Sequence, residues 1–421
     1  MTETISDFFL SPEFIPDPQP YFDYLRGQGP VVREPHHGVV AVTGYEETLE
    51  VLKDGEQWSA CVSVGGPFPP LPFTPDGDDI REQIAAHRTQ MPLHEHMVAM
   101  DPPNHTRARS LLSRLLTPKR LKANEDFLLG LADSQLDEFV DAGECEFLTA
   151  YSKPFSLLAV ADLLGVPRED HPEFRAALAN PHLMGNIEGQ GAPINPLQFL
   201  DEKFSAYIED RRAQPRDDVL TELALATYPD GSQPAVTDVV RTASFLFGAG
   251  QETTAKLLGA AMRILCERPE LQQQLRDDPQ LATVFIEETL RVESPVKTQF
   301  RLAVRSTTLA GVDIPAGTVV MVSAAATNRD PDRFDGPHEF RLDRKNVREQ
   351  IAFGRGVHTC PGAPLARVEG RVSLERILAR INDITLDERF HGPAGRRIFT
   401  YEPTYILRGL TDLHLRFTPA R

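Results

Sequence analysis

The sequence predicts a mainly α protein with a smaller β-rich part, and three observations carry that prediction. From about residue 105 to 380, most segments repeat their apolar residues at helical spacing. Within that region "VTDVVRTASFLFGAG" runs into "QETTAKLLGAAMRILCERPE", apolar on nearly every side, which belongs in the middle of a large core. Towards both ends of the chain, short β-branched runs stand between turn signals. The 421 residues show no internal repeat and no low-complexity linker. One domain over 1–421 is therefore expected. Its β-rich part comes mostly from about 30–60, 297–325 and 385–421, and its helical body from about 100–295 and 363–382.

In chain order, "VVREPHHGVVAVTGYEETLEVLK" reads as two short strands, a turn between them, and a helix. Residues 61–99 contain "GGPFPPLPFTPDGDD", too rich in Pro and Gly for a regular element. Residues 181–196, "PHLMGNIEGQGAPINP", are similarly irregular, and loops of this length are usually functional covers or simply disordered. Thr237 is the candidate N-cap of the long apolar helix. "LAGVDIPAGTVVMVSAAAT" (309–327) and the closing "TDLHLRFTPA" read as strands.

Charge and cysteine content exclude several function classes. A net charge of −17, from 44 basic and 61 acidic residues, opposes a general affinity for nucleic acid or anionic membrane. Cys61, Cys145, Cys266 and Cys360 share no metal-site spacing and form no CxxC pair, which fits a reducing cytoplasm. "MTETISDFFLSPEF" carries acids where a signal peptide carries basic residues. No run reaches the roughly 18 apolar residues of a membrane-spanning helix. A soluble, cytoplasmic protein without an anchor is expected.

Chemistry concentrates in "FGRGVHTCPG" (353–362). Glycines at 354, 356 and 362 let the backbone turn sharply and approach something closely. Cys360 stands just before a predicted helix, whose N-terminus favours thiolate, and His358 and Arg355 add cationic donors. Such a cysteine is a nucleophile, a metal ligand, or a buried and inert thiol.

Phe353, Gly356, His358, Cys360 and Gly362 fit F-x-x-G-x-[HR]-x-C-x-G, which resembles the haem-binding loop of the cytochrome P-450 superfamily. Other marks follow in the family's order over nearly the whole chain. "DPPNHTRAR" (101–109) resembles the helix against the haem propionates. "AGQETT" (249–254) is similar to the oxygen-activating segment. "EETLR" (287–291) resembles the E-x-x-R helix, and "NRDPDRF" with "FRLDR" (328–344) the stretch completing the ionic cluster. The resemblance implies a triangular-prism helical body, with one haem b buried between the long central helix and the Cys loop.

By that resemblance Cys360 is the axial thiolate ligand of the iron, donating electron density that favours O–O cleavage. Phe353, Gly354 and Gly362 belong to its loop. Pro361 has no N–H to give the sulfur, so the thiolate is expected to donate more strongly than in a relative without that proline. Thr253, bonding back to Ala249 with Gly250 easing a local bend, would steady the oxygen being activated, while Glu252 relays protons inward. The family more often has aspartate at the acid position. His105, Arg109, Arg301 and His358 resemble the residues holding the two propionates, which need cationic or hydrogen-bonding partners when buried. Glu288 and Arg291, three apart on a helix, would form with Arg344 a structural ionic cluster behind the Cys loop.

The resemblance further implies an O2- and NAD(P)H-dependent monooxygenase acting on a hydrophobic small molecule. The alternatives are a peroxide-driven peroxygenase and a non-catalytic haem sensor or ligand-binding protein. The expected pocket walls are both irregular loops, Phe245, Gly248, Ala249, the segment Val296–Gln299 and Tyr401, with Lys297 and Gln299 as possible polar anchors. No flavin or iron–sulfur module is evident, so electrons would come from a ferredoxin and its NAD(P)H-dependent reductase. Residues 105–122 carry Arg107, Arg109, Arg114, Lys119, Arg120 and Lys122 without one acid, a surface where an acidic ferredoxin could dock. A monomer is expected.

Overall fold

The computed structural model describes residues 5–178, 185–187 and 197–420; the side chains of Ser113, Arg114 and Pro118 lie outside the description. The N-terminal third holds α1 (Gln19–Arg26), β1 (Val31–Arg33), β2 (Val40–Val42), α2 (Tyr45–Lys53), β3 (Trp58–Ser59), α3 (Arg81–His87) and α4 (Asn104–Ser110). The helical body follows with α5 (Pro118–Asp137), β4 (Glu144–Glu146), α6 (Lys153–Leu164), α7 (His171–Ala177), α8 (Gln198–Ala213), α9 (Val219–Ala224), α10 (Val236–Glu267), α11 (Pro269–Asp277) and α12 (Leu281–Val292). Then come β5 (Gln299–Ala303), β6 (Thr307–Leu309), β7 (Val312–Ile314), β8 (Val319–Val322), α13 (Ala324–Thr327), α14 (Ala363–Arg380), β9 (Ile381–Leu386), α15 (Glu388–His391) and β10 (His414–Pro419).

Helix α10 has 32 residues, about 48 Å at 1.5 Å per residue, and forms the axis of the body. It packs on α6 and α8 on one side and on α12, α14 and β9 on the other. That double contact explains why its apolar residues continue round the helix: Val240, Phe247, Leu257 and Leu265 all lie in one buried cluster with residues of α6 and α14. Two glycines let the neighbours approach. A Cβ at Gly250 would stand 3.0 Å from Val160 of α6, and one at Gly370 of α14 would stand 2.8 Å from Ile286 of α12.

The larger sheet has the order β1-β2-β8-β5-β3, with β2 and β8 parallel and the other neighbours antiparallel. It joins residues from the two ends of the chain, as the β-branched runs predicted. A hairpin of β6 and β7 turns at Ala310 and Gly311, both at positive φ.

The structure differs from the sequence reading in four places. The long helix starts at Val236 with Ala235 as its N-cap, and Thr237 is an exposed first-turn residue that caps nothing. The run 309–327 is not all strand. Ser323 Oγ accepts from Ala326 N–H and starts α13, so the alanines after β8 are helical. The β part also draws on the middle of the chain, because β4 pairs with β10 in the sheet β4-β10-β9. Residues 61–99 are not wholly irregular, since α3 lies within them.

Candidate active site

Between α10 and the Cys loop lies a cavity bordered by His105, Arg109, Ala249, Gly250, Glu252, Thr253, Arg301, Phe353, Gly354, His358, Cys360 and Gly362. Sequence positions spread over more than 250 residues thus meet in one place. A larger recess of about 1150 Å³ lies beside it against Arg88, Asp101 and Tyr228, where Arg88 and Asp101 pair at 3.1 Å.

The floor is the Cys loop. Cys360 N–H donates to Phe353 O at 2.8 Å and Gly354 N–H to Ile351 O at 2.8 Å, closing a tight turn. Gly354 and Gly356 take φ of +66° and +70°, and a Cβ at Gly356 would stand 2.2 Å from the Leu52 carbonyl oxygen. Gly362 serves differently. Its φ is ordinary, and a Cβ there would stand in ordinary contact with the Cys360 sulfur at 3.8 Å. Enclosure pushes the thiol up, against the Gly362 and Ala363 N–H groups and Arg109, which favour thiolate. The cationic donors expected beside it are otherwise engaged. Arg355 donates to the carbonyls of Glu349, Gln350 and Gly354, and His358 is neutral, held down to about 2 by burial and by Arg301.

The polar end is rich in unsatisfied donors. His105 and His358 rings lie 4.0 Å apart, and both His105 nitrogens are buried without a partner. Burial, then Arg109, brings His105 down to about 4, so it too is neutral. Arg301 is buried, donating to Phe300 O at 2.7 Å and Gln299 Oε1 at 3.2 Å, and burial lowers it to about 10. Two arginines, the orphaned His105 and the His358 ring beside it are complementary to two buried carboxylates. The residues present fit a haem, with propionates at this end, an apolar slab between Ala249 and Phe353, and one sulfur beneath.

The roof is α10. Thr253 Oγ1 donates to Ala249 O at 2.8 Å, the backward bond expected of a threonine in a buried helix. Glu252 borders both this cavity and a smaller recess on the outer side of the helix. There Lys256 Nζ, 6% exposed, lies 2.9 Å from Glu252 and 2.8 Å from Glu402.

Behind the loop, Glu288 accepts from Arg291 at 2.8 and 2.7 Å and from Arg344 at 3.0 Å, all three buried. The remaining guanidinium donors bind the carbonyls of Asn328, Asp335, Gly336, Pro337 and Glu339. The cluster clamps the 335–344 segment, and none of its members borders the cavity.

Of the expected pocket residues, Phe245, Ala249, Val296 and Gln299 line the cavity, and the 61–99 segment adds Ser63, Val64, Met97 and Val98. Three expectations fail. Gly248 faces α8, where a Cβ would meet Leu197 at 2.9 Å. Tyr401 faces a separate recess, under the guanidinium of Arg408. Lys297 reaches neither cavity nor solvent; it is 2% exposed with Nζ 5.8 Å from the Phe8 ring centre. Of the 181–196 loop only 185–187 are described; they bond to 403–405, and none of the three borders the cavity itself, although Gly185 packs on Ile406, which does. The sequence reading missed Val160, Leu163, Leu407 and Glu369. Glu369 is fully buried beside Thr254, and burial pushes it up to about 8. Its signal was there to be read, as one acid on the apolar α14 face bearing Leu365 and Val372.

A family description for Cytochrome P450 matches residues 190–385. The chain is 65% identical to the solved structure of Mycobacterium marinum cytochrome P450 CYP150A6 in the substrate-free form, with TM-score 0.94 and 100% of each chain covered. It is 33% identical to Cytochrome P450 144 of Mycobacterium tuberculosis over 382 residues, 89% of this chain and 85% of that protein. It is 31% identical to Cytochrome P450 monooxygenase PikC of Streptomyces venezuelae over 424 residues, 98% of this chain and 94% of that protein. With a cysteine loop, a threonine-bearing central helix and a carboxylate-binding end converging on one cavity, the chain belongs to the cytochrome P450 family, as a haem b-dependent monooxygenase of the bacterial type.

Proposed function

We propose that this monooxygenase hydroxylates or otherwise oxidises a hydrophobic small molecule, using O2 and electrons from NAD(P)H delivered by a separate ferredoxin and its reductase. The observation that carries the reading is Glu252, which borders both the inner cavity beside Thr253 and the outer recess. Peroxide-driven relatives tend to lack such an acid–alcohol pair, and a ligand-binding haem protein has no use for a proton route.

Cys360 would hold the iron through its sulfur. His105, Arg109, Arg301 and His358 hold the propionates, and Phe353, Gly354, Gly362, Ala249 and Gly250 shape the faces that enclose the ring. Bound there, haem supplies the activation of O2 at a thiolate-ligated iron. The protein's part is positioning and proton control. Thr253 Oγ1 gives its own proton to Ala249 O, which leaves the oxygen lone pairs facing the cavity to accept a hydrogen bond. Glu252 takes protons at the outer recess, where Lys256, itself shared with Glu402, holds its carboxylate, and passes them towards Thr253. The substrate packs against Val64, Met97, Phe245 and Val296, which exclude water, with Ser63, Thr298 and Gln299 as the nearby polar groups.

The basic stretch 105–122 is narrower than its sequence suggests. Arg109 turns into the cavity, Arg120 pairs with Glu222 at 2.6 Å, and Lys122 pairs with Glu125 at 3.1 Å. Lys119 stays exposed, and the Arg114 side chain lies outside the described residues. Lys119 remains a proposed contact for an acidic ferredoxin. A cytoplasmic location fits the four free cysteines. No helix among the described residues is long and apolar enough to cross a membrane.

Turnover tests the proposal. The holoenzyme with ferredoxin, reductase and NAD(P)H is expected to form product, and peroxide alone to support little. Thr253→Val is expected to cut product per NAD(P)H oxidised by about 100-fold or more, the range of a lost proton-transfer group. Equal product yields from wild type and Thr253→Val would remove the proton-control reading.

A further inference from the structure

On the face of the protein away from the cavity, the N-terminal segment, α10, α12 and the C-terminal segment enclose a recess of about 860 Å³. It shares no wall residue with the active site. Four arginines border it: Arg263, Arg329, Arg397 and Arg408.

Arg329 is the unusual one. It is 9% exposed, yet among the described residues its side chain makes no hydrogen bond or ion pair, and Nε is buried without a partner. The acids around it are already engaged. Glu293 lies 3.0 Å from Arg263 and 2.6 Å from Arg408, and Glu267 pairs with Arg263. Asp23 is paired with Arg26 at 2.7 Å, and Asp17 accepts the Gln19 N–H at 3.0 Å. Arg397 donates to Gly392 O, and its nearest carboxylate, Glu388, stands 3.7 Å away. The recess is therefore left with unused guanidinium donors on Arg329, and of its carboxylates only the exposed Asp17 holds no ion pair. A buried charge without a partner costs several kcal/mol, and an anion docking on it would offset that cost. Burial pulls Arg329 down to about 10, as such an environment requires. Beside these donors lie Phe399 and Ile398, the latter 66% exposed, an apolar surface for the body of an organic anion.

We propose that this recess is a binding site for a small oxyanion, a carboxylate or a phosphate group, gripped by the Arg329 guanidinium with Arg397 at the rim. A planar guanidinium offers paired N–H donors that match two oxygens of either group.

The test is thermal unfolding of the haem-loaded protein at constant ionic strength, titrated with sodium phosphate in one arm and sodium hexanoate in another, against sodium chloride. A saturable rise in the midpoint with phosphate or hexanoate but not chloride is expected, since a ligand of the folded state stabilises it by mass action. A response to hexanoate alone assigns the site to organic carboxylates, and a response to phosphate alone to phosphates. Arg329→Met is expected to abolish the response. Arg397→Gln is expected to weaken the affinity by about tenfold, the equivalent of one charge-assisted hydrogen bond. No rise beyond chloride with either anion overturns the proposal, as does an undiminished rise in Arg329→Met. Should Arg329→Met not fold, an unchanged affinity in Arg397→Gln overturns it in the same way.

Discussion

Lys297 shows how a single side chain departs from what its position suggests. In sequence it lies among cavity residues, between Val296 and Thr298, which alternate with it along an extended segment. A period of two turns it the other way, into the N-terminal aromatic cluster at Phe8. Burial, with Arg408 adding to it, lowers its amine to about 7 from an ordinary 10.5. The unfolded chain then holds more protons than the folded one between about pH 7 and 10.5, so stability rises with pH through that window and falls again towards pH 7. Lys297→Met is expected to be more stable than wild type at pH 7, by about 1–4 kcal/mol, and to lose the rise. Urea unfolding at pH 7 and pH 9.5 checks both. A variant that keeps the wild-type slope would show that the lysine is hydrated. At the sulfur, Gly362 and Ala363 supply N–H groups and Pro361 supplies none. Pro361→Ala is expected to add a donor and raise the haem reduction potential, measured by spectroelectrochemistry. An unmoved or lowered potential would show that the added N–H does not reach the sulfur.

At the scale of elements, the Glu288 cluster ties α12 to the 335–344 segment. Arg291 alone donates to three carbonyls besides its carboxylate, so loss of Glu288 strands two buried guanidinium groups. Glu288→Ala is expected to lose about 3–5 kcal/mol and to purify with little haem. Full haem content at wild-type stability would refute this role. Long helices were legible because their apolar spacing is local information. The Cys loop was legible because its residues are contiguous, and the threonine's backward bond because it needs only four residues of helix. What stayed hidden depended on partners far along the chain. β4 is three residues with no hydrophobic pattern of its own, made a strand by β10 some 270 positions later. The facing of Gly248 was set by α8, and that of Tyr401 by Arg408, neither of which a local pattern announces. Val160 and Leu163 looked like ordinary core on an almost wholly buried helix.

Across the whole molecule, an acidic chain of net charge −17 keeps an uncompensated cationic end inside the cavity and pairs much of its surface charge. The interior arginines and the orphaned His105 would gain direct partners from a dicarboxylate between α10 and the Cys loop. The fold, the cofactor cavity and the oxygen-facing helix are thus one device, centred on the sulfur of Cys360. The most direct measurement is the absorption spectrum of the purified, reduced protein under carbon monoxide. The account predicts the red-shifted Soret band of thiolate-ligated haem in the wild type and its loss in Cys360→His, which would ligate iron through nitrogen instead. A protein that stays colourless when supplied with haem, or a Cys360→His variant with an unchanged band, would contradict it.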